Sequence, residues 1–94
     1  MKWKRTKQKL QVELSGDFNL AAVRKIRSLL GSQTELHLDL SSCRFADSEA
    51  IIFLHEQIQK HLKVRLVDPP LLFYEVLRIL GIQDEWDLKQ IVVR

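Results

Sequence analysis

The sequence lacks the features that mark a secreted or membrane-spanning protein. Cys43 is its only cysteine, so no internal disulfide can form, and a reducing cytoplasm is the natural compartment for such a chain. No apolar run approaches the roughly 20 residues that a membrane-spanning helix needs. The N-terminus is basic, but no apolar stretch follows it as in a secretory signal. We therefore expect a cytoplasmic protein without a membrane span.

Residues that would build a catalytic or metal site are also scarce. With three glycines in all, the chain has no glycine-rich loop to hold phosphates. His55 and His61 are six residues apart, which places them on different sides of a helix, whereas the zinc-protease motif needs a spacing of four. His37 and Asp39 share one face of a predicted strand, where we expect a solvent-side hydrogen bond. The sequence predicts no enzymatic activity, no metal and no cofactor.

The single cysteine has two interpretations. Cys43 is followed by Arg44, and a neighbouring cation can lower the pKa of a thiol and make it reactive. The alternative is a small residue without chemistry, in a turn. The sequence favours the second interpretation, since no catalytic partner for the thiol is evident.

The basic charge of the chain is concentrated at one end. The formal net charge is +3, but five basic residues and no acidic ones lie within positions 1–9. The remaining ten basic and twelve acidic residues make positions 10–94 mildly acidic, which makes nucleic-acid binding by that part unlikely. We interpret positions 1–9 as a basic leader or an edge strand and positions 10–94 as one domain. The leader contains Trp3 and is a candidate contact with nucleic acid or anionic lipid.

Alternating and short apolar segments recur along the chain. They predict strands at 10–14, 35–40, 63–67 and 88–93. Apolar residues at helical spacing predict a helix in each interval between these strands. Such alternation is typical of an α/β protein with a mostly parallel sheet. We predict one α/β domain with four to five strands and three to four helices.

Residues that stop or start helices set the expected boundaries. Gly31 and Gly81 are the expected ends of the first and third helices. Asp68, before two prolines, is the expected N-cap of the third helix, with a proline in its first turn. Trp86 is expected to cover the end of the core near the last strand.

The polar cluster Asp47-Ser48-Glu49 lies where the strand at 35–40 gives way to the second helix. Ligands and partners of open α/β sheets gather at this end of the strands. One interpretation is that the cluster only caps the helix. The other is a switch at Ser48, because the start of a helix stabilises a phosphate. Asp47 and Glu49 would repel that phosphate towards a partner.

Four stretches in order resemble the sulfate-transporter and anti-sigma-factor-antagonist (STAS) domain family. Together they cover nearly the whole chain, and they read "VELSGDFN", "LHLDLSSCRFADSEAIIFL", "KVRLVDPP" and "VLRILGIQDEW". The resemblance implies a STAS-type α/β fold and a protein-binding role in transcription regulation. It implies that Ser48 matches the serine that a cognate anti-sigma factor, a serine kinase of GHKL type, phosphorylates in the switch members of the family. In those members the unphosphorylated domain binds the anti-sigma factor, and phosphate blocks that binding.

The resemblance also implies a partner-binding surface. Its residues in this chain are Gly16, Asp17, Ser41, Ser42, Asp47, Ser48 and Glu49. The chain departs from the family pattern after the serine, where switch members have a small residue and a glycine and this chain has Glu49 and Ala50. A carboxylate at this position makes the surface more negative before any phosphate arrives.

A second role fits the same resemblance. Some small members of the family are cytoplasmic accessory subunits of ABC-type transporters, including a phospholipid-trafficking system, and bind the ATPase subunit. Stable docking of this kind would be favoured by an apolar surface on the second or third helix. Phe53, Phe73 and Tyr74 are the candidates for that surface.

Overall fold

The computed structural model describes residues 1–93 as a five-stranded sheet with helices between the strands. The strands are β1 (Lys2–Arg5), β2 (Lys9–Glu13), β3 (Glu35–Asp39), β4 (Lys63–Val67) and β5 (Val92–Val93). The helices are α1 (Leu20–Leu29), α2 (Ser48–Gln59), α3 (Leu71–Leu80) and α4 (Leu88–Ile91), with a 3-10 helix at Gln83–Glu85. None of the helices within residues 1–93 has both the length and the apolar character needed to cross a bilayer.

The order of the strands across the sheet is the order of the chain. The sheet runs β1-β2-β3-β4-β5, and all neighbours from β2 onwards pair in parallel. The exception is β1, which pairs antiparallel with β2 and places Lys2 opposite Glu13. The α/β class and the mostly parallel sheet predicted from the sequence are confirmed.

The core lies between one face of the sheet and the helices. Alternate strand residues point into it, as the twofold period of a strand requires, and they include Leu10, Val12, Leu36, Leu38, Val64 and Leu66, each at most 3% exposed. Phe18, Phe53 and Phe73 are the largest fully buried side chains. The intervening strand residues, such as Gln11, His37 and Arg65, are exposed or half-buried, so the second face of the sheet is polar.

The third helix starts later than the sequence predicted. Pro70, not Asp68, is its N-cap, no side chain caps it, and both prolines precede the helix. The reason is steric, because a residue before a proline is disfavoured in helical conformation. Asp68 precedes Pro69, and Pro69 precedes Pro70, so the helix begins only after the second proline. Asp68 itself adopts a left-handed conformation, with φ of 50°.

The segment 88–93 is a strand only in its last two residues. Asp87 carbonyl oxygen accepts from the backbone N–H groups of Gln90 and Ile91, both at 3.0 Å, which closes one turn of helix. This turn buries Ile91 and half-buries Leu88, three residues apart on the same helical face. The prediction of a strand over the whole segment was therefore wrong, and helical spacing explains the difference.

Only one of the two glycines expected to stop a helix takes that role. Gly81 ends α3 in the left-handed conformation, with φ of 71°, which glycine adopts without a steric penalty. By contrast, α1 ends at Leu29 with Leu30 as an extended C-cap, before Gly31 is reached. Trp86 packs near Phe73, with ring centroids 5.9 Å apart, and is buried at the edge of the core as predicted.

Candidate functional site

Two loops meet at the end of the sheet where the parallel strands finish. We call this the carboxyl end of the sheet. Phe18, after β2, donates its backbone N–H to Phe45 (2.9 Å), and its carbonyl accepts from the N–H of Asp47 (3.1 Å). These bonds form an isolated parallel bridge between Phe18 and Ala46, both buried. The loop before α1 is thereby held beside the loop before α2.

Ser48 is the first residue of α2 and is exposed to solvent. Asp47 is the N-cap, and its Oδ1 accepts from the backbone N–H of Ala50 at 2.9 Å. The carboxylate of Asp47 is therefore engaged in starting the helix, and Ser48 follows directly on the outside. The structure gives Ser48 the exposed position at a helix start that the sequence predicted. Its phosphorylation stays a prediction.

The open end of α2 favours negative charge near Ser48. The N–H groups of Ser48 and Glu49 precede the first intrahelical bond, which joins the N–H of Ile51 to the carbonyl of Asp47 (3.2 Å). They therefore point out of the helix end, where the aligned peptide dipoles leave a partial positive charge. Glu49 supplies one negative charge in this first turn. An added anion at Ser48 would meet favourable N–H groups but also two carboxylates.

Of the other residues predicted to bind a partner, four lie in the two loops at this end. Gly16 and Asp17 follow β2, Ser41 and Ser42 follow β3, and all four are exposed. The Ser41 hydroxyl is already engaged, since it donates to Oδ1 of Asp39 at 2.6 Å. Hydrogen bonds from the hydroxyl and the backbone N–H of Ser41 lower the pKa of Asp39. Ser41 thus holds the turn after β3, while Ser42 remains exposed.

Cys43 lies in the loop between β3 and α2. Its thiol does not have the lowered pKa that the neighbouring Arg44 suggested. Its side chain is buried and Arg44 is exposed. Burial, together with smaller contributions from the negative charges of Asp17 and Asp39, raises the pKa of the Cys43 thiol to about 11. The thiol is therefore protonated at neutral pH. The interpretation of Cys43 as a reactive group is wrong, because the side chain faces the core and the carboxylates.

Two of the three histidines make side-chain hydrogen bonds. His37 Nε2 lies 3.1 Å from Oε2 of Glu35, so its partner is Glu35 and not Asp39 as expected. His55 Nδ1 accepts a hydrogen bond from Nε1 of Trp86 at 3.0 Å, while His61 is exposed in a left-handed conformation. Within the described part of the chain, no group of three or more His, Cys, Asp or Glu side chains is arranged to hold a metal ion.

The apolar surface is not where the sequence placed it. Phe53 and Phe73 are fully buried, and Tyr74 is half-buried with its ring edge-on to Phe73 at 5.4 Å. Other large apolar side chains are exposed, and they are Met1, Trp3, Leu20, Phe45, Ile52, Leu71, Leu72, Ile79 and Val93. Apart from Trp3, sequence reasoning missed them, although several precede or begin a helix, where an apolar residue falls outside the buried stripe.

Topology explains why the exposed apolar side chains at the starts of the helices share one end. Helices that connect parallel strands return in the opposite direction, so the starts of α1, α2 and α3 lie at the carboxyl end of the sheet. Leu20 and Leu71 are the first residues of α1 and α3, and Phe45 is 56% exposed just before α2. Ile79, in the last turn of α3, is the exposed apolar residue at the opposite end. Ser48 therefore shares the carboxyl end of the sheet with the exposed apolar side chains at the starts of the helices.

Comparison with known proteins identifies the fold. No protein-family model and no curated protein sequence matches the chain. Among solved structures, the chain is similar to the anti-sigma factor antagonist SpoIIAA in its unphosphorylated form, with a TM-score of 0.70 and 16% sequence identity. The match covers 98% of this chain and 84% of that one. The chain therefore has the STAS-domain fold that its sequence resembles.

Proposed function

We propose that this protein is a protein-binding regulatory domain of the anti-sigma factor antagonist type, with Ser48 as its gate. The observation that carries the proposal is the position of Ser48, exposed in the first turn of α2, three residues after the exposed Phe45 and four before the exposed Ile52. Ile52 is one turn further along α2, so it lies on the same side of the helix as Ser48. Support also comes from the likeness to a solved anti-sigma factor antagonist.

Burial of the apolar side chains would drive binding in the unphosphorylated form. Burying an aromatic or aliphatic side chain contributes about 1.5–3 kcal/mol relative to leaving it exposed. Phe45 and Ile52 are each partly exposed, so both have surface left to bury against a partner. Gly16, Asp17, Ser42 and Glu49 are exposed at the same end of the sheet and would form the polar rim of the interface.

A phosphate on Ser48 would oppose that binding. It adds about −1.5 to −2 charges at neutral pH, within one helical turn of Ile52. A partner that covers the apolar side chains would then have to desolvate a dianion, which is unfavourable without new cationic contacts. Asp47 and Glu49 add repulsion from both sides, while the N–H groups of the first turn keep the helix folded. The partner would release.

The partner that this mechanism requires is a kinase able to bind the same surface it modifies. A cytoplasmic anti-sigma factor with GHKL-type serine kinase activity meets that requirement. The role of the protein itself is then binding and not catalysis. This fits a site whose thiol is buried and protonated and whose Asp47 carboxylate caps a helix.

Charge substitution at Ser48 tests the gate. We expect Ser48→Asp to weaken binding of the cognate kinase by at least about tenfold and Ser48→Ala to leave it nearly unchanged, measured by isothermal titration calorimetry. Ser32→Asp is the matched control, because Ser32 is exposed in the loop before β3, at the other end of the sheet. Equal binding by both Ser48 variants and the parent would remove the basis for the gate. So would the absence of added phosphate mass after incubation with the kinase and ATP.

A second candidate role is supported by the extent of the apolar surface. Leu71 is 86% exposed and Leu72 is 38% exposed at the start of α3, beyond the immediate surroundings of Ser48. Stable docking on the ATPase subunit of an ABC-type transporter would cover such side chains permanently. In that case Leu71→Ser would abolish co-purification with the ATPase and Ser48→Asp would not. The genes that neighbour this one distinguish the two roles independently.

A further inference from the structure

The first strand places positive charge and one aromatic ring at the outer edge of the sheet. We use the name basic edge for residues 2–9, which contain Lys2, Trp3, Lys4, Arg5, Lys7 and Lys9. β1 is the first strand of the sheet order, and all four of its residues are exposed. Residues 2–8 of the basic edge are open to solvent, and Lys9, which begins β2, is half-buried.

Cations point to both sides of this edge. Lys2 and Lys4 lie opposite Glu13 and Gln11 in the pairing with β2, and directly opposed residues share a face. Both lysines are thus on the polar face of the sheet, while Arg5, opposite the buried Leu10, is on the side of the helices. Because successive side chains of β1 point to opposite faces, both faces of the sheet carry positive charge at this edge.

Carboxylates neutralise little of this charge. The ion pairs within residues 1–93 are Arg27–Glu56, His37–Glu35 and Arg78–Glu75, so none involves the basic edge. Glu13 is the one acidic residue directly opposite β1 in the pairing. The edge is strongly basic beside a body that is mildly acidic, and this asymmetry would orient the protein in front of an anionic surface.

Trp3 adds an apolar anchor. It is 47% exposed, whereas the other tryptophan, Trp86, is 5% exposed. The Arg5 guanidinium carbon lies 5.8 Å from the centroid of the Trp3 ring, and Arg5 also donates to the carbonyl of Leu29 at 3.0 Å. An arginine held in place thus covers one face of the indole. This arrangement disfavours stacking on a nucleobase but suits a membrane interface, where indole and cation lie side by side.

The adjacent surface is not shaped for one phosphate group. An open depression of about 410 Å³ lies on the polar face beside Lys2 and Lys4, but Glu13 and Asp39 also line it. Carboxylates among the lining residues oppose a tightly bound anion. A diffuse attraction between the whole edge and a charged surface has no such conflict.

We infer that the basic edge binds the surface of an anionic lipid bilayer, with its cations against the headgroups and the Trp3 ring at headgroup depth. The inference does not depend on the proposed function, because β1 and the start of α2 are different parts of the fold. Each lysine near an anionic surface contributes about 1 kcal/mol, which corresponds to roughly a fivefold change in partition.

Co-sedimentation with vesicles tests the inference. We expect binding to vesicles of mixed phosphatidylglycerol and phosphatidylcholine, no binding to pure phosphatidylcholine, and loss of binding at high salt. The double variant Lys2→Gln/Lys4→Gln should lower the partition by on the order of 30-fold. The emission of Trp3 should shift to shorter wavelength on binding, and Trp3→Phe should abolish that shift because Trp86 is already buried.

The matched control is Arg24→Gln/Lys25→Gln, which removes the same charge from exposed positions on α1. If it reduces the partition as much as the double variant at β1, net charge is the cause and the inference is wrong. Failure to bind the mixed vesicles overturns it as well. So does tighter binding of single-stranded DNA at the same salt with the same lysine dependence, which would make the edge a nucleic-acid contact. All substituted side chains are exposed, and circular dichroism verifies that each variant is folded.

Discussion

Replacing Asp47 with alanine removes the acceptor that starts the helix presenting Ser48, and the structure allows the size of the effect to be worked out. The carboxylate of Asp47 caps the N–H of Ala50 at 2.9 Å. Loss of such an N-cap costs about 1 kcal/mol, within a range of roughly 0.5–2 kcal/mol. Removing a negative charge from the start of a helix adds about 0.3 kcal/mol or more. We therefore expect the free energy of unfolding to fall by about 1–1.5 kcal/mol.

Urea unfolding followed by circular dichroism measures this change, and thermal unfolding should show a Tm lower by about 4–8 °C per kcal/mol for a domain of this size. Hydrogen exchange at the amide of Ala50 should become faster. The matched control is Asp87→Ala, since Asp87 is the N-cap of α4 but its side chain makes no capping hydrogen bond. We expect that control to change the stability by less than about 0.5 kcal/mol. Equal effects of the two substitutions would refute the reasoning from the cap.

Two further outcomes follow from buried groups. The pKa of Cys43 is raised to about 11 from its ordinary value of 9.0, so the folded state holds its proton more tightly than the unfolded state. The stability that this group contributes is present below pH 9 and is lost as the pH rises to about 11; Cys43→Ala should reduce that loss in urea unfolding. Replacing His55 with alanine leaves the Nε1–H of Trp86 without its acceptor. We expect this to lower the free energy of unfolding by about 1–3 kcal/mol, with His55→Asn milder, and to shift Trp86 emission in a Trp3→Phe background.

Local patterns were sufficient to predict the architecture of the sheet. The segment 63–67 is β4 as predicted, 10–14 is shifted by one residue from β2, and 35–40 is one residue longer than β3. Alternation of apolar and polar residues carries this information because it follows from the twofold period of a strand. The weakly signalled first strand is present as β1. In β1, lysine alternates with tryptophan and arginine, so the strand has almost no alternation of apolar and polar residues that would predict it.

Errors arose where two local signals competed. Asp68 is a good N-cap by residue type, but the restriction that proline imposes on the preceding residue moved the start of α3 to Leu71. Phe53 and Phe73 were also candidates for an exposed apolar surface. Both fall on the helical stripes that face the core, and both are buried. Weighting helical position above residue type would have corrected the second error.

Some features of the candidate site could be predicted from the sequence, and others could not. The cap at Asp47 and the exposure of Ser48 follow from neighbours in the sequence, and both were predicted. The bridge between Phe18 and Ala46 joins residues 28 positions apart, so no local pattern predicts it. The raised pKa of Cys43 likewise depends on its burial and on Asp17, which only the folded chain brings near the thiol.

The identity between the order of strands in space and their order along the chain has a consequence for assembly. Every strand finds its partner in the segment synthesised just before it, so the molecule can grow from the β1–β2 hairpin by adding one helix and one strand at a time. No early segment waits unpaired for a late one. Short separations between contacting residues favour rapid folding, and the lysines along the first strand discourage a second chain from joining the ladder while it forms.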